Sequence, residues 1–187
     1  MIINEFRFLC PNEIFFNQRY KNWSRCYEWG YVFGLAHFCK FKTAHNTCCG
    51  TNALHNLFAS DLVSLIPHVL NTDIFPSDNG VVFDNHKIHS VIDPYNDRFD
   101  LVVCISTLEE LPPQEIETVL KNLLDQVNPG GRLIITCDYP QVNIPVLEAF
   151  TGVPITDVSV RLNGSNSIYA NDGYQNLNII LIDITNG

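Results

Sequence analysis

The chain reads as an α/β protein built on a mostly parallel sheet that ends in an antiparallel hairpin, and three observations predict this. Residues 99–106 (F-D-L-V-V-C-I-S) and 132–137 (R-L-I-I-T-C) are near-continuous apolar runs bounded by turns, the pattern of central parallel strands buried on both faces. Between them Ile116, Val119, Leu120, Leu123 and Leu124 recur at helical spacing, which predicts a crossover helix over 114–127. Residues 155–162 alternate with period two, residues 177–184 are more continuously apolar, and a polar Gly/Asn/Ser loop joins them, which predicts the hairpin.

Composition sets the scale. A chain of 187 residues, 46% hydrophobic and 17% charged, is expected to form one domain (1–187) that buries roughly 70% of its unfolded surface. There is no apolar run long enough to span a membrane, and M-I-I-N-E-F-R-F lacks a basic region followed by an apolar one. A cytoplasmic protein without membrane partners is therefore expected. Seven cysteines without a C-x-x-C pair are expected as reduced thiols. The net charge is −9, divided as +3 over residues 1–42 (six basic, three acidic) and −12 over the remainder (five basic, seventeen acidic). Nucleic-acid binding by the body is not expected. Residues 1–42 are also dense in aromatics and are expected to form a partly helical extension docked on the acidic body, ahead of a core over 43–187. The alternative is that their cations face an anionic substrate.

Taken in order, W-S-R-C-Y-E-W-G-Y-V-F-G-L reads as a helix with Ser24 as a cap and Tyr27, Tyr31 and Leu35 on one face. The stretch A-H-N-T-C-C-G-T-N (44–52) is a β-like segment that turns tightly into a helix over 51–65, broken at Pro67. A turn of that kind leaves the first helical N–H groups free for carboxylates, hydroxyls or phosphates. Residues 68–72 read as a strand ending at Asp73, 23 residues after Gly50. A spacing of roughly twenty separates a glycine loop from an acid that bonds ribose hydroxyls. The next strand is either 81–84 or 87–92. Asn128-Pro129-Gly130-Gly131 is expected to stop the 114–127 helix, and 144–150 forms a short helix after Pro140.

Three pieces of this order are together similar to the class I S-adenosylmethionine-dependent methyltransferases, in particular the small-molecule group with a V-L-D-x-G-C-G-T-G loop. They are C-C-G-T-N-A-L, F-D-L-V-V-C-I-S-T-L-E-E-L-P-P and L-L-D-Q-V-N-P-G-G-R-L-I-I-T. The resemblance runs from about Ala44 to the C-terminus. It implies a doubly wound, Rossmann-like sheet of about seven strands whose last two form the hairpin, S-adenosylmethionine as cofactor and a small-molecule methyl acceptor. The cofactor-binding positions it implies are Asn46, Cys48, Gly50, Thr51 and Asn52 in the loop, Asp73 and Ile74 after the next strand, and Cys104, Ile105 and Ser106 at the end of the fourth. Asn46 stands where the family has Asp, Cys48 and Asn52 where it has Gly, and Glu110 where many members have His.

Transfer of a sulfonium methyl needs mainly proximity and orientation of a nucleophile. The base is optional, and its candidates are Glu110, Asp138, Tyr139 and His37. Each also has an ordinary structural reading as a loop acid, a packed ring or a core histidine. No metal is expected: His86 and His89 near Asp84 lack a further ligand group. The adjacent Cys48 and Cys49 read as small residues filling a tight turn. A second hypothesis is a methyltransferase-like chain that binds or assembles without catalysis. A third, a nicotinamide-binding protein, is disfavoured by the hairpin and by the absence of G-x-G-x-x-G. The apolar terminal strands are also a possible dimer edge.

Overall fold

A computed structural model describes residues 1–9, 25–50, 53–76, 85–155 and 178–187. Its elements, in chain order, are β1 (Ile2–Phe8), α1 (Arg25–Cys39), β2 (Thr43–Thr47), α2 (Ala53–Leu65), β3 (His68–Asp73), β4 (His86–Ile88), β5 (Phe99–Ile105), α3 (Pro113–Asp125), β6 (Val127–Tyr139), α4 (Ile144–Thr151) and β7 (Asn178–Thr185). A 3₁₀ turn, Leu108–Glu110, follows β5. The strands form one seven-stranded sheet in the order β1-β7-β6-β5-β2-β3-β4. Strands β2 to β6 pair in parallel, while β7 is antiparallel to both β6 and β1. This is the doubly wound α/β architecture that the buried apolar runs predict.

Helices cover both faces because the central strands are apolar on both. Residues Leu101 and Val103 of β5 point to one face with Ile134, Leu181 and the helices α1 and α2. On the other face Val102, Cys104, Leu133, Ile135 and Ile182 meet Ile116, Val119, Leu120 and Leu123 of α3. On the first face, Trp29 of α1 stacks on Phe58 of α2 with ring centroids 4.9 Å apart. Helix α3 starts at Pro112-Pro113, where the fixed φ of proline suits the first turn.

Several elements depart from the sequence expectation. Residues 1–42 are not only a helical extension: Ile2–Phe8 is a sheet strand paired with β7, Phe6 opposite Ile182 and Phe8 opposite Ile180. The signal was period-two alternation, since Phe6 and Phe8 are buried while Glu5 and Arg7 face outward as an ion pair at 2.7 Å. Strand β7 therefore lies between β6 and β1, which corrects the reading of the terminal strand as a dimer edge. Its expected hairpin partner over 155–162 lies, after Ile155, outside the described residues. The strand after Asp73 is His86–Ile88, near the second alternative, and 81–84 also lies outside the described residues.

Asn128-Pro129-Gly130-Gly131 does not stop α3, which ends at Asp125; it belongs to the first part of β6. The reason is close approach. A Cβ at Gly131 would sit 2.8 Å from the Asp100 carbonyl, and Gly130 holds φ +77°. Asn128 Nδ2 completes the join by donating to Asp100 Oδ1 at 3.0 Å.

A buried polar network fixes α1 against the sheet. Asp183, fully buried on β7, accepts from the Tyr31 hydroxyl at 2.6 Å, from Asn4 Nδ2 at 3.1 Å and from Arg132 Nε at 2.7 Å, with Arg132 Nη2 on its second oxygen. Burial, and next the Asp183 carboxylate, push the Tyr31 phenol well above its usual range, so it stays a donor. Removing one partner of such a pair strands the others in the core. Asp183→Ala is expected to lower the unfolding free energy by about 3–5 kcal/mol, read from urea denaturation. A loss below about 1 kcal/mol would mean that the network does not hold α1 in place.

Candidate functional site

The strand order reverses between β2 and β5, and the crevice outside the carboxyl ends of strands at such a point is where α/β sheets bind ligands. A cleft of about 490 Å³ lies there, within the size range of small-molecule sites. Its walls come from three connections: Cys48 and Gly50 after β2, Asp73, Ile74 and Phe75 at the end of β3, and Ile105, Ser106, Thr107, Glu110 and Leu111 after β5. Ser90, Val91 and Ile92 close the remaining side.

Asp73 organises two of these walls. Its Oδ2 accepts from the Gly50 amide at 2.9 Å and its Oδ1 from the Phe75 amide at 3.1 Å. A carboxylate has about four acceptor positions, so both oxygens keep room for hydroxyl donors. The turn after β2 is further held by the Cys49 amide, which donates to the Thr72 carbonyl at 2.9 Å. Beneath it, buried His45 lies between Thr72 Oγ1 (2.8 Å) and Gln126 Oε1 (2.6 Å), and burial lowers its pKa to about 4.

Six of the predicted cofactor-binding positions line this cleft: Cys48, Gly50, Asp73, Ile74, Ile105 and Ser106. Asn46 does not. It is buried within β2, and its amide donates to Asn71 Oδ1 at 2.9 Å. Cys104 is also fully buried below the cleft, a free thiol in side-chain interaction with that of Cys48. Thr51 and Asn52 lie outside the described residues.

Left-handed backbone angles occur on both sides of the cleft. Gly50 has φ +70°, and Cys48, where a glycine was expected, is held at φ +48°. Ser106, across the cleft, also has a left-handed φ of +45°. Such angles cost a residue with a Cβ roughly 1–2 kcal/mol and gather at functional sites. The Cys48 thiol is held protonated: its hydrogen-bonding interaction with the Cys104 thiol, together with burial, pushes it far above the usual thiol range. Burial, then the Asp73 carboxylate, push Cys49 up to about 12.

Of the four base candidates, Glu110 alone lines the cleft. Asp138 is half-buried at the end of β6, and Tyr139 packs its ring edge-on against Phe8 at 5.6 Å. His37 is corrected. It sits exposed in the last turn of α1, nine residues beyond Glu28, which is about 13 Å along the axis. Glu28 marks the cleft end of that helix, because its Oε1 accepts from Ser106 Oγ at 2.8 Å and Thr136 Oγ1 at 2.5 Å. The exposed Lys40 and Lys42 precede β2, at the end of that strand away from the cleft.

Sequence reading missed Glu28 and Glu109. Glu28 is fully buried on a helix whose pattern showed only aromatics, and Glu109 is the half-buried neighbour of the exposed Glu110. The E-E doublet was the available signal, but which acid turns inward depends on the 3₁₀ geometry. Among the described residues no group of His, Cys, Asp or Glu is spaced to hold a metal.

Strain at Cys48 gives a test with a distinctive sign. Cys48→Ala and Cys48→Gly both delete the thiol, and only glycine relieves the left-handed backbone. Cys48→Gly is expected to be the more stable variant by about 1 kcal/mol in thermal unfolding. An advantage for alanine would contradict the backbone assignment.

No known family's sequence model matches the chain, and no curated protein matches it in sequence. Solved structures do match. The N-methyltransferase NodS from Bradyrhizobium japonicum, in complex with S-adenosyl-L-homocysteine, superposes with a TM-score of 0.60 at 14% identity over 90% of each chain. A TehB-like S-adenosylmethionine-dependent methyltransferase from Corynebacterium glutamicum gives 0.52 at 15% identity over 78% of this chain and 80% of that one. CalS10, an amino pentose methyltransferase from Micromonospora echinaspora with S-adenosylmethionine bound, gives 0.50 at 20% identity over 63% and 52%. The chain therefore has the Rossmann-like fold of the class I S-adenosylmethionine-dependent methyltransferases.

Proposed function

We propose that this protein binds S-adenosylmethionine in the cleft at the ends of β2, β3 and β5 and transfers its methyl group to a small-molecule acceptor. The observation that carries this reading is Asp73, whose carboxylate reaches the Gly50 turn on one side and faces the cleft with acceptor positions to spare. The donor set fits the group. An acid suits vicinal ribose hydroxyls, and Ile74, Val91 and Ile92 make an apolar wall for a flat base. When bound, the cofactor supplies an electrophilic methyl on a sulfonium centre.

The chain's contribution is then placement. Gly50 allows the backbone to approach a ligand closely. Ser106, locked by Glu28 through α1, fixes the wall opposite Asp73. Glu110 lines the same cleft and is the candidate to take a proton from an acceptor or to attract a cationic one. Asp138 and Tyr139 are the last two residues of β6, where the acceptor side of the cleft is proposed to lie.

A second reading, a methyltransferase-like protein that binds or assembles without catalysis, is favoured by two particulars. Asn46 is engaged with Asn71 instead of facing a ligand, and Cys48 places a side chain where the loop would meet the cofactor. Titration calorimetry with S-adenosylmethionine and S-adenosylhomocysteine separates the readings. Binding below millimolar concentration, weakened about 10–100-fold by Asp73→Ala, is expected for the first. No heat at millimolar ligand would sink it. If binding then appears in the variant combining Asn46→Asp, Cys48→Gly and Asn52→Gly, the second reading holds.

A further inference from the structure

The 3₁₀ turn after β5 carries a carboxyl that the proposed transfer does not use. Glu109 Oε1 accepts from the Asp138 amide at 3.1 Å and so joins the cleft wall to the end of β6. Its Oε2 is buried and, among the described residues, has no hydrogen-bond partner. The charges that act on it are acids, Asp138 from β6 and Glu28 from α1, with Cys137 of β6 also within electrostatic reach. The backbone amides of Glu109 itself and of Asp138 oppose them without cancelling the effect of burial. Glu110 is its neighbour on the turn, and among the described residues no ion pair joins Glu109 to a cation. An isolated ionised carboxylate in such a place is costly, and like charges close together do not all ionise.

We propose that Glu109 is a positioning residue that is protonated in the binding form of the cleft, and that losing this proton loosens the wall carrying Thr107, Glu110 and Leu111 and weakens cofactor binding. The inference rests on the cofactor reading above for its ligand, but not for its proton. Burial, with Asp138 and Glu28 adding to it, raises the Glu109 carboxyl to about 8. The sign follows. Between about pH 4.5 and 8 the folded state holds a proton that the unfolded state has released, so stability falls as pH rises through that window and levels off above it.

The test compares wild type with Glu109→Gln, which keeps an oxygen for the Asp138 amide and cannot ionise. In the absence of ligand, the urea midpoint of wild type relative to Glu109→Gln is expected to fall from pH 5 to pH 8.5. In calorimetry with S-adenosylhomocysteine, wild-type affinity divided by that of Glu109→Gln is expected to drop about tenfold between pH 7 and pH 9, following the protonated fraction. The ratio cancels any titration of the ligand itself. Glu109→Ala, lacking the acceptor for Asp138, is expected to bind more weakly than Glu109→Gln at both pH values. Parallel stability curves for wild type and Glu109→Gln overturn the proposal whether or not ligand binds. A pH-dependent stability difference with a constant affinity ratio overturns the coupling to the cleft. Absence of binding by every variant at every pH counts against the cofactor reading, and the stability comparison then decides the proton assignment alone.

Discussion

The site depends on one carboxylate at the end of a central strand. Asp73 stands where β3 leaves the sheet and takes one amide from the turn after β2 and another from the segment after itself. Two connections that diverge in sequence are thereby held at one edge of the crevice. Parallel pairing of β2 with β3 sets this up, because Thr47 lies opposite Thr72 and the two strands end together. The carboxylate is partly consumed as a structural acceptor, yet its geometry leaves it able to serve a ligand. A loop with a single described glycine, Gly50, is kept in shape by this bond as much as by its own backbone freedom.

Helix α1 is the second constraint, and buried acids set its position. Asp183 reaches it through Tyr31, and Glu28 reaches from it to Ser106 and Thr136. Apolar packing alone tolerates sliding, whereas buried acceptors require particular donors. These two anchor points, three residues apart on the helix, fix its register against β7 on one side and the ends of β5 and β6 on the other. Glu28, together with Asp138 at the end of β6, makes the protonation of Glu109 a matter of stability as well as of binding.

Much of this was readable from the residues. The apolar runs of β5 and β6, the stripe of α3, and the Gly50 to Asp73 spacing named the central strands and the cleft between their connections. What was not readable has physical causes. Strand β1 is charged on one side, so its two inward phenylalanines were submerged in a wider aromatic density. Gly130 and Gly131 resemble a helix stop, but the steric approach to Asp100 that makes them a strand entrance exists only in three dimensions. Asn46 belongs to a buried amide pair formed with the neighbouring strand. His37 looked equivalent to other titratable groups until the length of α1 placed it at the wrong end.

The most direct test of the central claim, that the crevice at the ends of β2, β3 and β5 receives the adenosyl ligand, is amide chemical-shift mapping during titration with S-adenosylhomocysteine. The amides of Gly50, Ile74, Ser106 and Glu110 are expected to shift together and saturate. Those of Lys40, Gly130 and Thr185, which line a separate surface pocket with Lys42 and Arg132, are expected to stay in place. Saturating shifts confined to that second group, or none anywhere, would contradict the account.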